Sequence, residues 1–452
     1  MKKSLGVFAL TMMTLSAVLN LRGIPIMASL GAWSVIYYLL GAVCFLIPST
    51  IVCVVLSKQY PEAGGIYLWV KEGLGNSWGF LAIWMEWVNN LVSTPATLAT
   101  LIGTLSFAGL SFLNNSPSHL FITLWLIYFL VTWLNASNIA TSSKLNIVGA
   151  LVGTLIPGLL IMGLAITAFL YHPHLASSVR TSGFLSLKPL AFSNTALFLS
   201  VLSAYSGMQI TAFHFQNISN PAKTLPRALI ISCVLILFLS IGTALAIFSI
   251  IPPASLQLIT GVMQSFQAFF NFFGLKNLTY LLAIALAIGS LASMSAWVIG
   301  PARGFFMFAK TENLPKIFTQ INKHEMPVGI LKIQLLIGTL LLSVYLWMPS
   351  INQAFWFLIV ITSQFTLLMF ALVFIVAIKT IDSIFIKLIS GLGLITVLLG
   401  FSLGLIPPAL LKISHPSVYL LEIILTDCLI LGIPAIWIGF SKKELLLSDP
   451  LA

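Results

Sequence analysis

Residues 19–27 read LNLRGIPIM, and they interrupt the first apolar run of the chain, LGVFALTMMTLSAVLNLRGIPIMASLGAW, residues 5–33. A plain membrane helix has no use for a charge, a glycine and a proline in its middle. Pro25 lacks a backbone N–H and disfavours helix at Ile24. Gly23 permits backbone shapes and close approach that a side chain would block. An arginine at a helix centre costs about 2.5–3.5 kcal/mol on insertion scales, and such residues normally face the interior with a partner. The stretch reads as a helix that unwinds inside a membrane; the plainer reading is a kink packed against a neighbour.

Composition supports the membrane setting. Of 452 residues, 59% are apolar and only 7% charged, too few charges for a soluble domain of this size. The apolar runs are continuous over about twenty residues, which points to helices and excludes the ten-residue alternation of spanning strands. Met1-Lys2-Lys3 followed by LGVFAL also resembles a signal peptide. An uncleaved first span is simpler, because a series of further spans follows. Cys44, Cys53, Cys233 and Cys428 lie in apolar runs without metal-ligand or redox spacing. The net charge of +11 comes from Lys and Arg distributed between short loops, unlike the clustered, aromatic-interleaved pattern of a nucleic-acid reader.

Twelve candidate spans lie at about 5–30, 33–56, 78–108, 119–138, 145–171, 193–215, 228–250, 279–305, 330–348, 353–378, 385–407 and 417–440. With the N-terminus inside, 16 Lys and Arg fall on the inner side and 4 outside (Arg180, Lys188, Lys276 and Lys412), with Arg22 in the membrane. The positive-inside rule therefore places both termini in the cytoplasm. Residues 61–78, with Tyr67, Trp69 and Trp78, read as a short interfacial helix on the inner face. Residues 251–277 are expected to pack over the outer face, and 309–329, the most polar stretch, to form a solvated connector.

A second interruption occurs in the sixth span, AYSGMQITAFHF, residues 204–215. Breaks in spans one and six have the spacing of two inverted repeats, spans one to five and six to ten. In such folds the freed backbone groups and half-helix dipoles bind a substrate's carboxylate and amine. Two breaks at corresponding positions favour a transporter over two unrelated kinks.

The segments Gly23-Ile24-Pro25, Gly64-Gly65-Ile66-Tyr67-Leu68-Trp69-Val70, Trp78-Gly79-Phe80, Tyr205-Ser206-Gly207-Met208-Gln209 with His214 and Ser219-Asn220-Pro221, and Ser295 to Gly304 carry a family resemblance. Together they resemble the amino acid–polyamine–organocation superfamily, and within it the bacterial glutamate/GABA antiporter group. The resemblance implies an all-α polytopic membrane protein with twelve transmembrane helices. These form a leucine-transporter-like 5+5 inverted repeat with broken first and sixth helices, plus two C-terminal helices. The first repeat would occupy residues 1–171, the second 193–378, the C-terminal spans 385–440 and a short cytoplasmic tail 441–452. It further implies alternating-access transport of amino acids or their decarboxylation products, often by exchange. Carried over residue by residue, Leu21, Arg22, Gly23, Ile24 and Pro25 line the substrate site with Tyr205, Ser206, Gly207, Met208 and Gln209. Trp297 matches a tryptophan that packs against substrate in relatives; a core or lipid-facing aromatic is its bland alternative.

The sequence departs from that family at three acids. Gln209 stands where relatives usually carry Glu, and Asn217 and Ser293 replace two further glutamates of the antiporter group. Glutamine keeps hydrogen bonds but cannot titrate. Charge appears instead at Arg22 and at Glu86 in the third span, on a stripe with Asn89, Asn90, Ser93, Thr97, Thr100 and Thr104 that falls on one helical face. Arg22, Glu86 and Asn90 are candidates for gating or coupling. Arg22 pairs with Glu86, binds an acidic substrate's side chain, or snorkels outward. Asp427 lies in the last span, outside the ten-helix core, and a structural role for His214 outweighs a proton relay. In the tenth span (ITSQF), Thr362 and Gln364 supply a polar middle. The C-terminal SKKELLLSDPLA is too short for the tail that gates the antiporter resembled.

The expected function is secondary active transport of amino acids across a bacterial inner membrane, by exchange. Proton- or ion-coupled symport of neutral amino acids is the alternative, and a non-transporting sensor a reading of another class. No enzyme constellation of His, Asp, Glu or Cys has suitable spacing. The expected partners are an amino acid and membrane lipid, with a homodimer compatible with the fold, no nucleic acid, no cofactor and no metal.

Overall fold

The structure, a computed structural model, describes all residues except 1–4, 20, 62–64, 115, 138–145, 172–191, 211–217, 219, 258, 313, 344–345, 347–350, 409–414 and 448–452. For some others, Arg22 among them, only the backbone is described. Apart from one isolated parallel bridge between Leu5 and Ile218, the regular structure of the described residues is helical.

Long apolar runs become helices because lipid offers backbone groups no hydrogen-bond partners, so each span must satisfy its own. Nine helices among the described residues are long and apolar enough to cross a membrane: Trp33–Gln59, Asn76–Leu110, Ser118–Ser137, Asn146–Tyr171, Pro221–Ile250, Leu278–Thr311, Phe355–Thr380, Ile384–Gly404 and Pro416–Ile436. Their order matches spans two to five, seven, eight and ten to twelve. The first and ninth spans are the shorter apolar helices Val7–Val18 and Val328–Leu342. The sixth contains Phe198–Ala204, entered through the 3-10 turn Phe192–Leu197. Span ten is central, with 83% of its apolar window buried, whereas span twelve is peripheral at 22%. Large apolar side chains such as Leu281, Leu340 and Leu425 are exposed on the bundle surface, as a lipid-facing rim requires.

Boundaries differ from the sequence reading at two helix ends. Span eight continues through Pro301 and Arg303 to Thr311, and the last helix runs to Leu447. The polar connector is therefore shorter than 309–329 and, among its described residues, carries the brief helix Lys316–Thr319. The short helix expected within 61–78 is present as Ile66–Leu74, with Ile66, Tyr67, Trp69 and Val70 buried. Tyr67 meets Phe308 edge-on at 5.7 Å, and Phe80 stacks on the same ring at 4.4 Å. Residues 251–277 form the helix Gly261–Phe272, whose Phe266, Phe269 and Phe270 are buried. It starts against the first span, since a Cβ on Gly261 would come 2.7 Å from Pro25.

Spans five and eight cross at their backbones. A Cβ on Gly153 would overlap the Gly289 main chain, and one on Gly149 would overlap the Ala292 side chain. In lipid, where apolar burial does not drive helix association, such small-residue contacts bring the packing surfaces together. Gly153→Val is expected to destabilise the protein by about 1–3 kcal/mol or more, as overpacking does. Thermal denaturation of the purified protein should show the lower melting temperature, and an unchanged one would contradict the crossing.

Candidate functional site

The first span stops at Val18 because Leu19 turns to extended backbone, φ −81° and ψ 90°. Leu21–Gly23 form one 3-10 turn and helix resumes as Ile24–Ala28. Pro25 sits in the first turn of that second half, where a missing N–H costs nothing. It starts the second half-helix and does not exclude Ile24 from helix, as the sequence reading expected. Gly23 likewise has ordinary right-handed backbone, φ −82° and ψ −15°. A Cβ there would meet nothing within 4 Å, so its surroundings, not its conformation, are special.

The sixth span breaks differently. Its helix ends at Ala204, Tyr205 forms a turn, and Gly207 adopts φ +117°, a region that side chains disfavour. A Cβ on Gly207 would lie 3.1 Å from Val18 and 3.4 Å from the Trp297 ring. The two breaks therefore meet, with Trp297 of span eight beside them. The Trp297 Nε1 donates to the Ala17 carbonyl at 2.9 Å. That carbonyl is one of those orphaned where the first half-helix ends.

Gln209 links the second break to the third span. Its Oε1 accepts from the Gly207 N–H at 3.0 Å, and its Nε2 donates to Glu86 Oε1 at 3.0 Å. Both side chains are fully buried. The second carboxylate oxygen of Glu86, and Asn90 Nδ2 one turn along the same face, have no hydrogen-bond partner among the described residues. The side chain of Arg22 lies outside the described part, so its pairing with Glu86 stays an expectation. His214, Asn217 and Ser219 also lie outside it, as does Gly64.

A cavity of about 110 Å³ lies where these elements converge. It is far larger than the roughly 10–15 Å³ that holds one water. Its walls come from both halves of span one and from spans three, six, eight and ten. Of the residues expected at the site, Gly23, Asn90, Ser206 and Trp297 line it. Tyr205 turns away and donates to the Tyr38 carbonyl of span two at 3.2 Å. Gly207 and Gln209 shape the break from behind the wall, and Leu21 lines a smaller cavity of about 30 Å³ next to it. Ile24, Pro25 and Met208 are buried but line neither cavity.

In span ten Thr362 lines the cavity, whereas Gln364 Nε2 reaches toward the Phe401 carbonyl of span eleven at 3.4 Å. Sequence reasoning missed Thr94, Ser200, Ser203 and Thr366, all on the wall. Ser200, Ser203 and Ser206 recur every three residues, a stripe visible in the sequence next to the more conspicuous Tyr205-Ser206-Gly207. Asp427 is buried on span twelve with one oxygen unpartnered among the described residues, away from both cavities.

The family model described as amino acid permease matches residues 5–428. An uncharacterized transporter of Legionella pneumophila is 35% identical over 98% of this chain and 97% of its own length. A glutamate/gamma-aminobutyrate antiporter of Lactococcus lactis subsp. cremoris is 30% identical over 75% of this chain and 68% of its own. Among solved structures, MhsT in complex with L-phenylalanine superposes with a TM-score of 0.62 at 15% identity, covering 88% of this chain and 98% of MhsT. A Na+-coupled sialic acid symporter gives 0.55 at 13% identity, covering 89% and 90%. At these identities the structural likeness speaks to the fold, which is leucine-transporter-like with broken first and sixth helices. This chain belongs to the amino acid permease family of the amino acid–polyamine–organocation superfamily, a family of multi-pass membrane transporters.

Proposed function

We propose that this protein moves amino acids across the inner membrane of a bacterium by alternating access, exchanging one for another, with both termini in the cytoplasm. One observation carries the reading: two interrupted helices from the two halves of the chain meet at one polar cavity walled by spans one, three, six, eight and ten. Unwound backbone at that depth exposes N–H and C=O groups, and half-helix ends orient a carboxylate and an ammonium. The antiporter name of a relative and the charge asymmetry of the loops support exchange and orientation respectively. Membership of a family of transporters supports reading the protein as a carrier.

A second reading, proton-coupled uptake, is favoured by Glu86, a buried carboxyl with one oxygen unpartnered among the described residues and the other hydrogen-bonded through Gln209 to the break. Proteoliposomes separate the two. Exchange predicts uptake of labelled amino acid only into vesicles preloaded with unlabelled substrate. Symport predicts uptake into empty vesicles when the outside is made acidic. Uptake in neither condition, across a full amino acid panel, would overturn the transport reading.

A further inference from the structure

Resting on the transport reading, we propose that the cavity selects amino acids with a small, uncharged side chain that both donates and accepts a hydrogen bond, serine and threonine being the type. The hydrogen-bonding state of the wall carries this. Ser93 and Thr94 both donate to the Asn90 carbonyl, at 3.1 and 2.9 Å. Across the cavity Thr362 donates to Leu358 O and Thr366 to Thr362 O, each at 2.9 Å. Each hydroxyl has a single proton, spent here on its own helix, so what remains for a ligand is oxygen lone pairs.

Two buried groups on the same wall are the complement. Asn90 Nδ2 and Ser200 Oγ are buried with no hydrogen-bond partner among the described residues, and both residues line the cavity. Buried polar groups are seldom left unpaired, so two of them on cavity-lining side chains, one rotation from the cavity, point to a ligand that completes them. A hydroxyl side chain answers both demands, donating to a lone pair and accepting from Asn90 or Ser200. A carboxylate would press its charge against those lone pairs. A cationic side chain would need a negative partner, and among the described residues that line the cavity no side chain is charged. Glu86 does not line it, and one of its oxygens is held by Gln209. Bulk is limited on the remaining sides by Ile26, Met294, Ile359 and Trp297.

The test uses the purified full chain in two measurements with one panel: serine, threonine, glutamate, γ-aminobutyrate, lysine, putrescine and phenylalanine. The first is the shift of melting temperature in detergent, and the second counterflow into preloaded proteoliposomes. Serine and threonine are expected to stabilise the protein most and to exchange at least tenfold faster than the rest. Asn90→Ala is expected to weaken serine binding about tenfold while the unliganded melting temperature stays near wild type. Preference for glutamate, γ-aminobutyrate, a cation or phenylalanine would overturn the inference and leave the transport reading intact. Stabilisation by serine with no counterflow of any amino acid would do the reverse. Neither stabilisation nor counterflow by any compound would overturn both.

Discussion

Gly207→Val is expected to reduce amino acid exchange in proteoliposomes more than a hundredfold. At φ +117° any side chain is strained, and backbone held in such a region costs on the order of 1–3 kcal/mol. A branched Cβ adds a collision, because even the first carbon would lie 3.1 Å from Val18 and 3.4 Å from Trp297. Both neighbours belong to the site, so relief of the clash must separate the two breaks or displace the indole that satisfies Ala17. Gly207→Ala carries the strain without the branch and should fall between wild type and valine. Rates compared at equal amounts of monodisperse protein decide it. A valine variant that exchanges at wild-type rate would show that the breaks do not need to meet.

The second large effect is expected at Glu86, where two substitutions should diverge. Glu86→Ala removes the acceptor for Gln209 Nε2 at a fully buried position. An unsatisfied buried donor costs about 1–3 kcal/mol. It also frees Gln209 from its position over the Gly207 N–H, so exchange should drop at least tenfold together with the melting temperature. Glu86→Gln keeps an oxygen facing Gln209 and should retain the fold and most of the exchange. If uptake is proton-driven, the same variant loses that uptake while counterflow persists. A double-mutant cycle with Gln209→Ala should be strongly non-additive, since the two residues act as one hydrogen-bonded unit. Equal behaviour of the alanine and glutamine variants would remove Gln209 from the account.

The order of the spans was legible because lipid reduces the problem to length and apolarity. The breaks were legible because glycine and proline interrupt runs that are otherwise unbroken. Their mechanics were not. Gly23 and Gly207 look alike in sequence, yet only Gly207 uses glycine's conformational freedom; Gly23 leaves space at the cavity edge. Periodicity placed Glu86 and Asn90 on one face of span three, but it could not name the partner of Glu86. Gln209 is 123 residues away and reaches it only through the unwound turn. Gln364 shows the converse, since a polar residue beside Thr362 at mid-span faces span eleven and not the cavity. Apolarity ended span eight near residue 305, whereas the helix carries on through Lys310 to Thr311.

The central claim is that a transported amino acid occupies the cavity between the two breaks. Gly23→Cys tests it most directly, because a Cβ there meets nothing within 4 Å and the position borders the cavity. In a background with Cys44, Cys53, Cys233 and Cys428 replaced by serine, the labelling rate by a small thiol reagent is measured with and without amino acids. Those amino acids that exchange are expected to slow labelling, in proportion to their occupancy, and those that do not exchange to leave it unchanged. Labelling indifferent to every exchanged amino acid would place the substrate elsewhere and contradict it.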